Sequence, residues 1–545
     1  MNVTRWRSSL MPATSAVLTA QFVALAVAAI ASVAGMVWWQ ALLVGAVPAA
    51  AMLVPVRRRR ALDWIVTAVR YRRTDRSPEP EITDSAASDG TVIGMVWNGG
   101  TVCSVIEVFP PRGGVTRLGR DDVVDDHPLP LVALAESLVQ HDISLAGVDV
   151  VAHGRRVDPH SPPARVYDEL VGPLPAIAAR SVWLVVRFDA AVQARSVTLR
   201  GGGTDGAARA LSVATRRIAR TLTQLGTENR ILPGAEIRHA RGIVTADVTP
   251  RSAPREWSHV ALPNGINTGY SLDPHLLSAG VLTDVWAVRT VATTVTVRIR
   301  PGGVTAARIA ASCRFTTAGE PDRPPIPGLA PTTGRDADAL ASHQPGCAPH
   351  LDSLTEFADV DAADLRHVSL SPGGCGQLVG ADADGRGVSV RAVGPDIERL
   401  DVIGEPYLAQ QVLLRAVATG ARIAVYSDRP QLWRQFVGSI GDTERLALGG
   451  TAGPSASTTA VVFDGVEPFP LPRGVTTVHV GDTPKSGNVS VALLQPGGYG
   501  GRIVLWAAGS RYDLTMVGTT AEAAFLGRPR SAPAPAPTPV HAPAM

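Results

Sequence analysis

The chain has 545 residues, 45% of them hydrophobic and 18% charged, enough apolar material for about two or three packed domains. Its 51 basic and 48 acidic side chains leave a net charge of +3, too small for a protein that holds nucleic acid by bulk charge. The four cysteines, Cys103, Cys313, Cys347 and Cys375, have no metal-ligand spacing, which excludes the common structural zinc sites.

Residues 8–56 carry no charged side chain. A membrane helix needs about 20 apolar residues, so the stretch is long enough for two. The expected spans are Thr14–Val33 and Val37–Val56, turning at Ala34-Gly35-Met36. A secretory signal has an apolar core of only about 7–15 residues, which makes that reading the weaker one. Arg5 and Arg7 precede the stretch and Arg57, Arg58, Arg59 and Arg60 close it. Arginines at both ends put both ends in the cytoplasm, with membrane lipids as a contact. In that reducing compartment the cysteines are expected as free thiols.

Leu62, Ile65, Val66 and Val69 then recur at helical spacing, with Arg70, Arg72, Arg73 and Arg76 beside them. This is a basic juxtamembrane helix, expected to dock on lipid headgroups or on a partner. The polar Ser77–Asp89 reads as a linker. Val92–Val108 reads as a β-hairpin turning at Asn98-Gly99-Gly100. A helix at Leu131–Gln140, a strand at Val148–Val151 and a proline-interrupted helical region at Val166–Ala179 follow. Beyond them come a strand at Val182–Phe188, a long helix at Asp205–Leu225 and a strand at Val291–Ile299. Gly319–Pro349, rich in Pro, Gly and Asp, looks like a joining loop.

The order then repeats. A hairpin at Gln377–Val393, a helix at Leu408–Thr419, a strand at Arg422–Tyr426, a helix at Leu432–Ile440 and a strand at Ala460–Phe463 match the first half element for element. A duplicated unit and coincidence both fit this repetition. Strands at Thr476–Val480, Val489–Leu494 and Arg502–Trp506 precede an Ala/Pro tail. The expected fold class is α/β: an N-terminal two-helix transmembrane hairpin, then a large cytoplasmic body of two α/β subdomains with mixed sheets. The expected boundaries are 1–56 for the hairpin, 57–89 for the basic helix and linker, 90–318 for the first domain, 319–366 for the connector, 367–528 for the second domain and 529–545 for a disordered tail.

Candidates for chemistry are weak. Arg200-Gly201-Gly202-Gly203 opens a helix and could cradle a phosphate, yet a flexible helix entry explains it as well. Lys485, the only lysine, is preceded by Pro484 where a phosphate loop needs glycine, so the chain has no Walker A site. Asp382 and Asp384 resemble the metal-binding pair of nucleotide-sugar transferases, but Asp-Gly at a hairpin tip is ordinary turn chemistry. The acidic run Asp121, Asp122, Asp125, Asp126 and His127 before a helix is explained by capping and solvation as well as by metal binding. No cofactor and no catalytic constellation is expected.

Several segments resemble one family. They are the N-terminal hairpin with Ala61-Leu62-Asp63-Trp64 at its exit, Val92–Gly99, the Arg200–Gly203 turn before Ala214–Ala219, Thr293–Arg298, Gly376–Asp382 and Ala409–Arg422. Together they are similar to EccE, the E component of the ESX (type VII) secretion apparatus of mycobacteria and related actinobacteria. The resemblance implies a non-enzymatic structural subunit of the inner-membrane core complex, partnered with EccB, EccD and the ATPase EccC. A membrane-anchored transferase using a nucleotide-sugar or lipid-linked substrate is the alternative. The residues expected to contact partner or membrane are Leu62, Ile65, Val66, Val69 and Arg57, Arg58, Arg59 and Arg60.

Overall fold

The computed structural model describes residues 14–56, 59–72, 79–87, 89–120, 122–125, 127–250, 252–303, 307–347, 351–450, 453–484 and 487–527. Two helices open it, α1 (Thr14–Val33) and α2 (Trp38–Leu53), turning at Gly35 with φ +90°. Small side chains make their seam. Ala20, Ala28, Ala31 and Ala41 are buried there, and a Cβ at Gly45 would stand 2.3 Å from the Ala24 carbonyl. Larger residues such as Phe22, Leu25, Leu42 and Leu43 point outward and are exposed. Among the described residues, however, no helix is long and apolar enough to cross a membrane. The second expected span falls short: α2 has 16 residues, about 24 Å of rise against a hydrocarbon core of about 30 Å. The fold alone therefore does not support the spanning reading of this hairpin.

A short strand pair, 55–56 with 59–60, leads into α3 (Ala61–Arg72). The expected linker is partly a strand. β1 (Glu81–Ala86) forms the edge of the first sheet, its Asp84 carboxylate accepting the Gly234 amide at 2.7 Å. Its charged, broken alternation suits an edge and disguised it. β2 (Val92–Asn98) and β3 (Thr101–Val108) form the expected hairpin, with Asn98 opposite Thr101 across Gly99-Gly100.

β4 (Val115–Leu118) and β5 (Val123–Asp125) leave this sheet and pair in the second. β6 (Gly147–Arg155), β7 (Ala179–Asp189), β8 (Val260–Leu262), β9 (Gly265–Leu272), β10 (Ala292–Pro301) and β11 (Ala307–Thr317) complete the first sheet in the order β8-β9-β11-β10-β6-β7-β3-β2-β1. Every pairing in it is antiparallel. α4 (Gly203–Gln224) lays Ala207, Ala210, Leu211, Ala214, Ile218 and Leu222 on one face of the sheet, the helical spacing of a buried stripe. α5 (Gly234–Thr245) covers the other face with Ile237, Ala240 and Val244. The expected joining loop is also structured. It contains a strand at 329–331 on β9 and α6 (Asp336–Ser342), and 358–360 pairs with β11.

The second sheet contains β12 (Gln377–Ala381), β13 (Gly387–Val390), β14 (Arg399–Ile403), β15 (Ile423–Ser427), β16 (Leu446–Leu448), β17 (Ala460–Asp464), β18 (Thr476–Gly481), β19 (Val491–Leu494), β20 (Arg502–Ala507) and β21 (Ser510–Thr515). Its order is β16-β15-β17-β18-β14-β19-β20-β21-β12-β13-β4-β5. The run from β16 to β19 is parallel and the rest is antiparallel. α7 (Pro406–Ala418) and α8 (Pro430–Ile440) pack on it. A wholly antiparallel sheet and a half-parallel one are not copies of one unit. The repeated element order comes from different pairings, which corrects the duplication reading. The two sheets interlock through β4 and β5. Asp158 meets Arg445 at 2.8 Å, and the Leu378 amide donates to the Tyr167 hydroxyl at 2.9 Å. The tail expected at 529–545 lies outside the described residues.

A second correction concerns the cysteines. Cys103 on β3 and Cys347 after α6 form a disulfide, leaving Cys313 and Cys375 as buried free thiols. Sequence spacing could not show a pairing across 244 positions. We predict that thiol titration of the denatured, unreduced protein counts two thiols; a count of four would contradict the pairing.

α9 (Thr520–Leu526) closes the second domain through one buried ion pair. Arg415 donates to both carboxylate oxygens of Glu522 at 2.9 Å, and the two side chains are 2% and 1% exposed. Removing one partner strands the other charge in the core, typically at 3–5 kcal/mol. Glu522→Ala should therefore lower stability by about 3–5 kcal/mol in urea denaturation; a loss under about 1 kcal/mol would mean that the pair is not formed.

Candidate functional site

The expected docking helix exists, and its two faces have different fates. Trp64, Thr67 and Tyr71, at i, i+3 and i+7, turn toward the body. Trp64 lies 6.3 Å from Trp257, and Tyr71 meets Trp257 edge-on at 5.0 Å. Arg255 sits over the Tyr71 ring at 5.4 Å and donates to the Tyr71 carbonyl at 3.3 Å. Thr67 is buried against Gly334, where a Cβ would stand 2.6 Å from the threonine methyl and 2.9 Å from the Trp257 ring. Gly334 also holds φ +78°, so glycine suits both its space and its backbone. This clasp fixes α3 on the loop before β8.

The opposite face has no partner among the described residues. Ile65, Val66 and Val69 are 50%, 42% and 44% exposed. Leu62 is half-buried, so the predicted stripe is three exposed residues and one at the border. Asp63 in the first turn and Arg70 and Arg72 in the last complement the helix dipole. Arg59 and Arg60 lie on the short strand before α3, while Arg57 and Arg58 fall outside the described residues. Sequence reasoning found the exposed stripe and missed the clasp. Trp64 and Tyr71 one helical face away were the available signal, but nothing local pointed to Trp257.

A buried basic face lies elsewhere, on the first sheet beneath α6. Arg298 donates to Ser312 and Ser342 at 2.8 and 3.1 Å. Arg314 donates to Thr294, to Asn267 and to the Val244 carbonyl at the end of α5, where the helix dipole supplies negative charge. Neither shows a carboxylate ion pair among the described residues. Arg300 does have them, with Asp149 at 2.6 Å and Asp352 at 2.7 Å. His153 and His343 bond Thr294 and Thr296 at 2.8 and 2.7 Å.

The candidate chemical sites resolve into local structure. Asp382 accepts the amides of Asp384 and Arg386 at 3.0 and 2.9 Å, an Asx turn rather than a metal pair. No group of three or more His, Cys, Asp or Glu able to hold a metal occurs among the described residues. Gly201, Gly202 and Gly203 all hold positive φ, and Arg209 closes their turn by donating to the Arg200 carbonyl at 2.8 Å. Asp125 accepts the His127 amide at 3.0 Å, and Asp122 pairs with Arg386 at 3.3 Å. Lys485 lies outside the described residues.

Comparison with known proteins gives one family. The profile described as "Putative type VII ESX secretion system translocon, EccE" matches residues 176–272, from β7 through the α4 entry and Trp257 to the end of β9. The ESX-1 secretion system protein EccE1 of Mycolicibacterium smegmatis is 26% identical over 469 residues, 84% of this chain and 90% of that protein. The ESX-2 secretion system protein EccE2 of Mycobacterium tuberculosis is 25% identical, covering 74% of this chain and 72% of its own. The ESX-5 secretion system protein EccE5 of Mycobacterium marinum is 27% identical over 36% of this chain and 49% of its own.

The buried imidazoles set a pH dependence. Burial, aided by Arg314 and Arg155, pushes His153 down to about 3. Burial, with Arg298, Arg314 and His153 adding repulsion, pushes His343 well below the usual histidine range. Both are therefore neutral in the fold, while the unfolded chain protonates them below about 6.5. The unfolded state binds more protons there, so stability falls as pH drops from about 6.5 toward 3, by at most about 1.4 kcal/mol per histidine per pH unit. We predict that His153→Gln with His343→Gln flattens the slope of urea stability between about pH 6.5 and 5; an unchanged slope would contradict neutral burial.

Proposed function

We propose that the chain is a member of the EccE family and a structural, non-enzymatic subunit of a type VII (ESX) secretion complex at the plasma membrane. The observation that carries this reading is the likeness to an ESX-1 protein over 84% of this chain and 90% of that relative. The partners in this reading are the other core subunits, EccB, EccD and the ATPase EccC, and membrane lipids. The α1–α2 hairpin inserts in the bilayer, supported by its charge-free sequence, its outward apolar side chains and the arginines at its exit. Those arginines favour a cytoplasmic body, whereas the Cys103–Cys347 disulfide favours an oxidising compartment. Cysteines introduced at Ser8 and Ser88 separate the two: shielding from an impermeant reagent in intact cells supports the cytoplasmic body, and labelling at Ser88 overturns it.

The exposed stripe of α3 is the docking surface in this reading. Each aliphatic side chain that a partner buries contributes roughly 1.5–3 kcal/mol when fully covered. Beside it, arginines attract acidic partner faces or headgroups, an effect that salt weakens. Ile65→Asp with Val69→Asp leaves the Trp64, Thr67 and Tyr71 face untouched. We predict that this double variant stays folded and in the membrane but no longer co-purifies with the complex. Recovery of partners at wild-type yield would move the contact to another surface.

A further inference from the structure

The parallel half of the second sheet has an order that its sequence does not announce. Counting β14, β15, β17, β18 and β19 as strands one to five, they lie side by side as 5-1-4-3-2, with β16 an extra strand at the edge. P-loop ATPases that carry a strand between strands one and three have this order. In them the phosphate loop leaves strand one and enters the next helix, and an acidic residue at the tip of strand three holds the magnesium ion. Both landmarks have counterparts here. β14 runs into α7, and β17 is Ala460-Val461-Val462-Phe463-Asp464, four apolar residues ending in a carboxylate at the strand's C-terminal tip. Ligands of parallel sheets bind at that edge, where the strand order reverses, which here is beside β14.

Both places are filled by the chain itself. Only Gly404 and Glu405 join β14 to α7, which begins at Pro406, against about eight residues in a phosphate loop. The Gln495 side chain occupies the crevice. Its Oε1 accepts the Glu405 amide at 3.0 Å, and its Nε2 donates to the Glu405 carboxylate at 3.0 Å and to the Gly500 carbonyl at 2.6 Å. A Cβ at Gly404 would strike Gln495 at 2.6 Å. The Glu405 carboxylate at the N-terminus of α7 puts negative charge where a phosphate would need donors. At strand three, Asp464 accepts from Ser427 at 2.7 Å, from Trp433 at 2.8 Å and from Arg429. Glu405, Gln495 and Asp464 are all buried.

We propose that the second domain is a P-loop-type ATPase core whose nucleotide crevice is plugged by Glu405 and Gln495, with Arg429 on the carboxylate that would otherwise hold the metal. It is a nucleotide-free structural module, whether or not the chain serves a secretion complex. The plug makes a positive prediction. Removing both side chains frees the Glu405-position amide and the α7 N-terminus, a ready anion site.

The full chain in detergent, with Mg·ATP and inorganic pyrophosphate as probes and melting temperature as the readout, tests this. The wild type should show no shift with either probe. Glu405→Gly with Gln495→Gly should melt lower and recover a saturable upward shift with pyrophosphate. A saturable Mg·ATP shift in the wild type that Asp464→Asn abolishes would overturn the proposal. So would a double variant that keeps native circular dichroism and ignores pyrophosphate. Should that variant not fold, Glu405→Gln with Gln495→Ala, which removes the charge and frees the amide with a smaller change in volume, is measured in its place and read the same way.

Discussion

The helix α3 is held to the body by the aromatic contacts of Trp257 with Trp64 and Tyr71. Trp64 and Tyr71 approach that ring from one helix face, and Gly334 lets Thr67 settle beside it because no side chain stands in the way. Aromatic pairs contribute about 0.5–1.5 kcal/mol beyond their buried area, so two on one ring add up for a helix of 12 residues. The clasp gives the helix an orientation as well as an attachment. It decides which face of α3 is covered and which stays exposed.

The body needs to be stiff for that orientation to matter, and its two sheets are tied at several points. β4 and β5 extend the second sheet from within the first half of the sequence. Asp158, Ser161 and Tyr167 bond backbone or side chains of the second half. The polar face under α6 is another constraint. Its arginines bond hydroxyls, Asn267, a helix end, Asp149 and Asp352, an arrangement that fixes α6 more specifically than apolar contact would. A scaffold that transmits position between a hairpin and a large body gains from such rigidity.

How much of this the sequence revealed depended on distance along the chain. The Val92–Val108 hairpin was legible because a two-residue glycine turn and alternating apolar residues are local signals. α4 and α7 were legible from helical spacing. β11 was not, because Ser312 and Arg314 are buried on it and Arg308 is exposed near its start, which spoils the look of a core strand. β1 was read as a linker since edge strands tolerate charge. The exposed stripe of α3 was readable from periodicity alone, whereas Trp257, the partner of the opposite face, lies nearly two hundred positions away, and Cys347 lies 244 positions from Cys103. Strand order in the second sheet is a property of pairing, and no composition signal encodes it.

A chain that presents one helix face outward while the other is clasped depends on a fixed angle between hairpin and body. Hydrogen exchange on the full chain tests that account most directly, comparing wild type with Trp257→Ala. The account predicts that amides of 61–72 lose protection in the variant while those of β6, β7 and β10 exchange as before. Equal protection of α3 in both proteins would contradict it, because the helix would then be held by something other than the clasp.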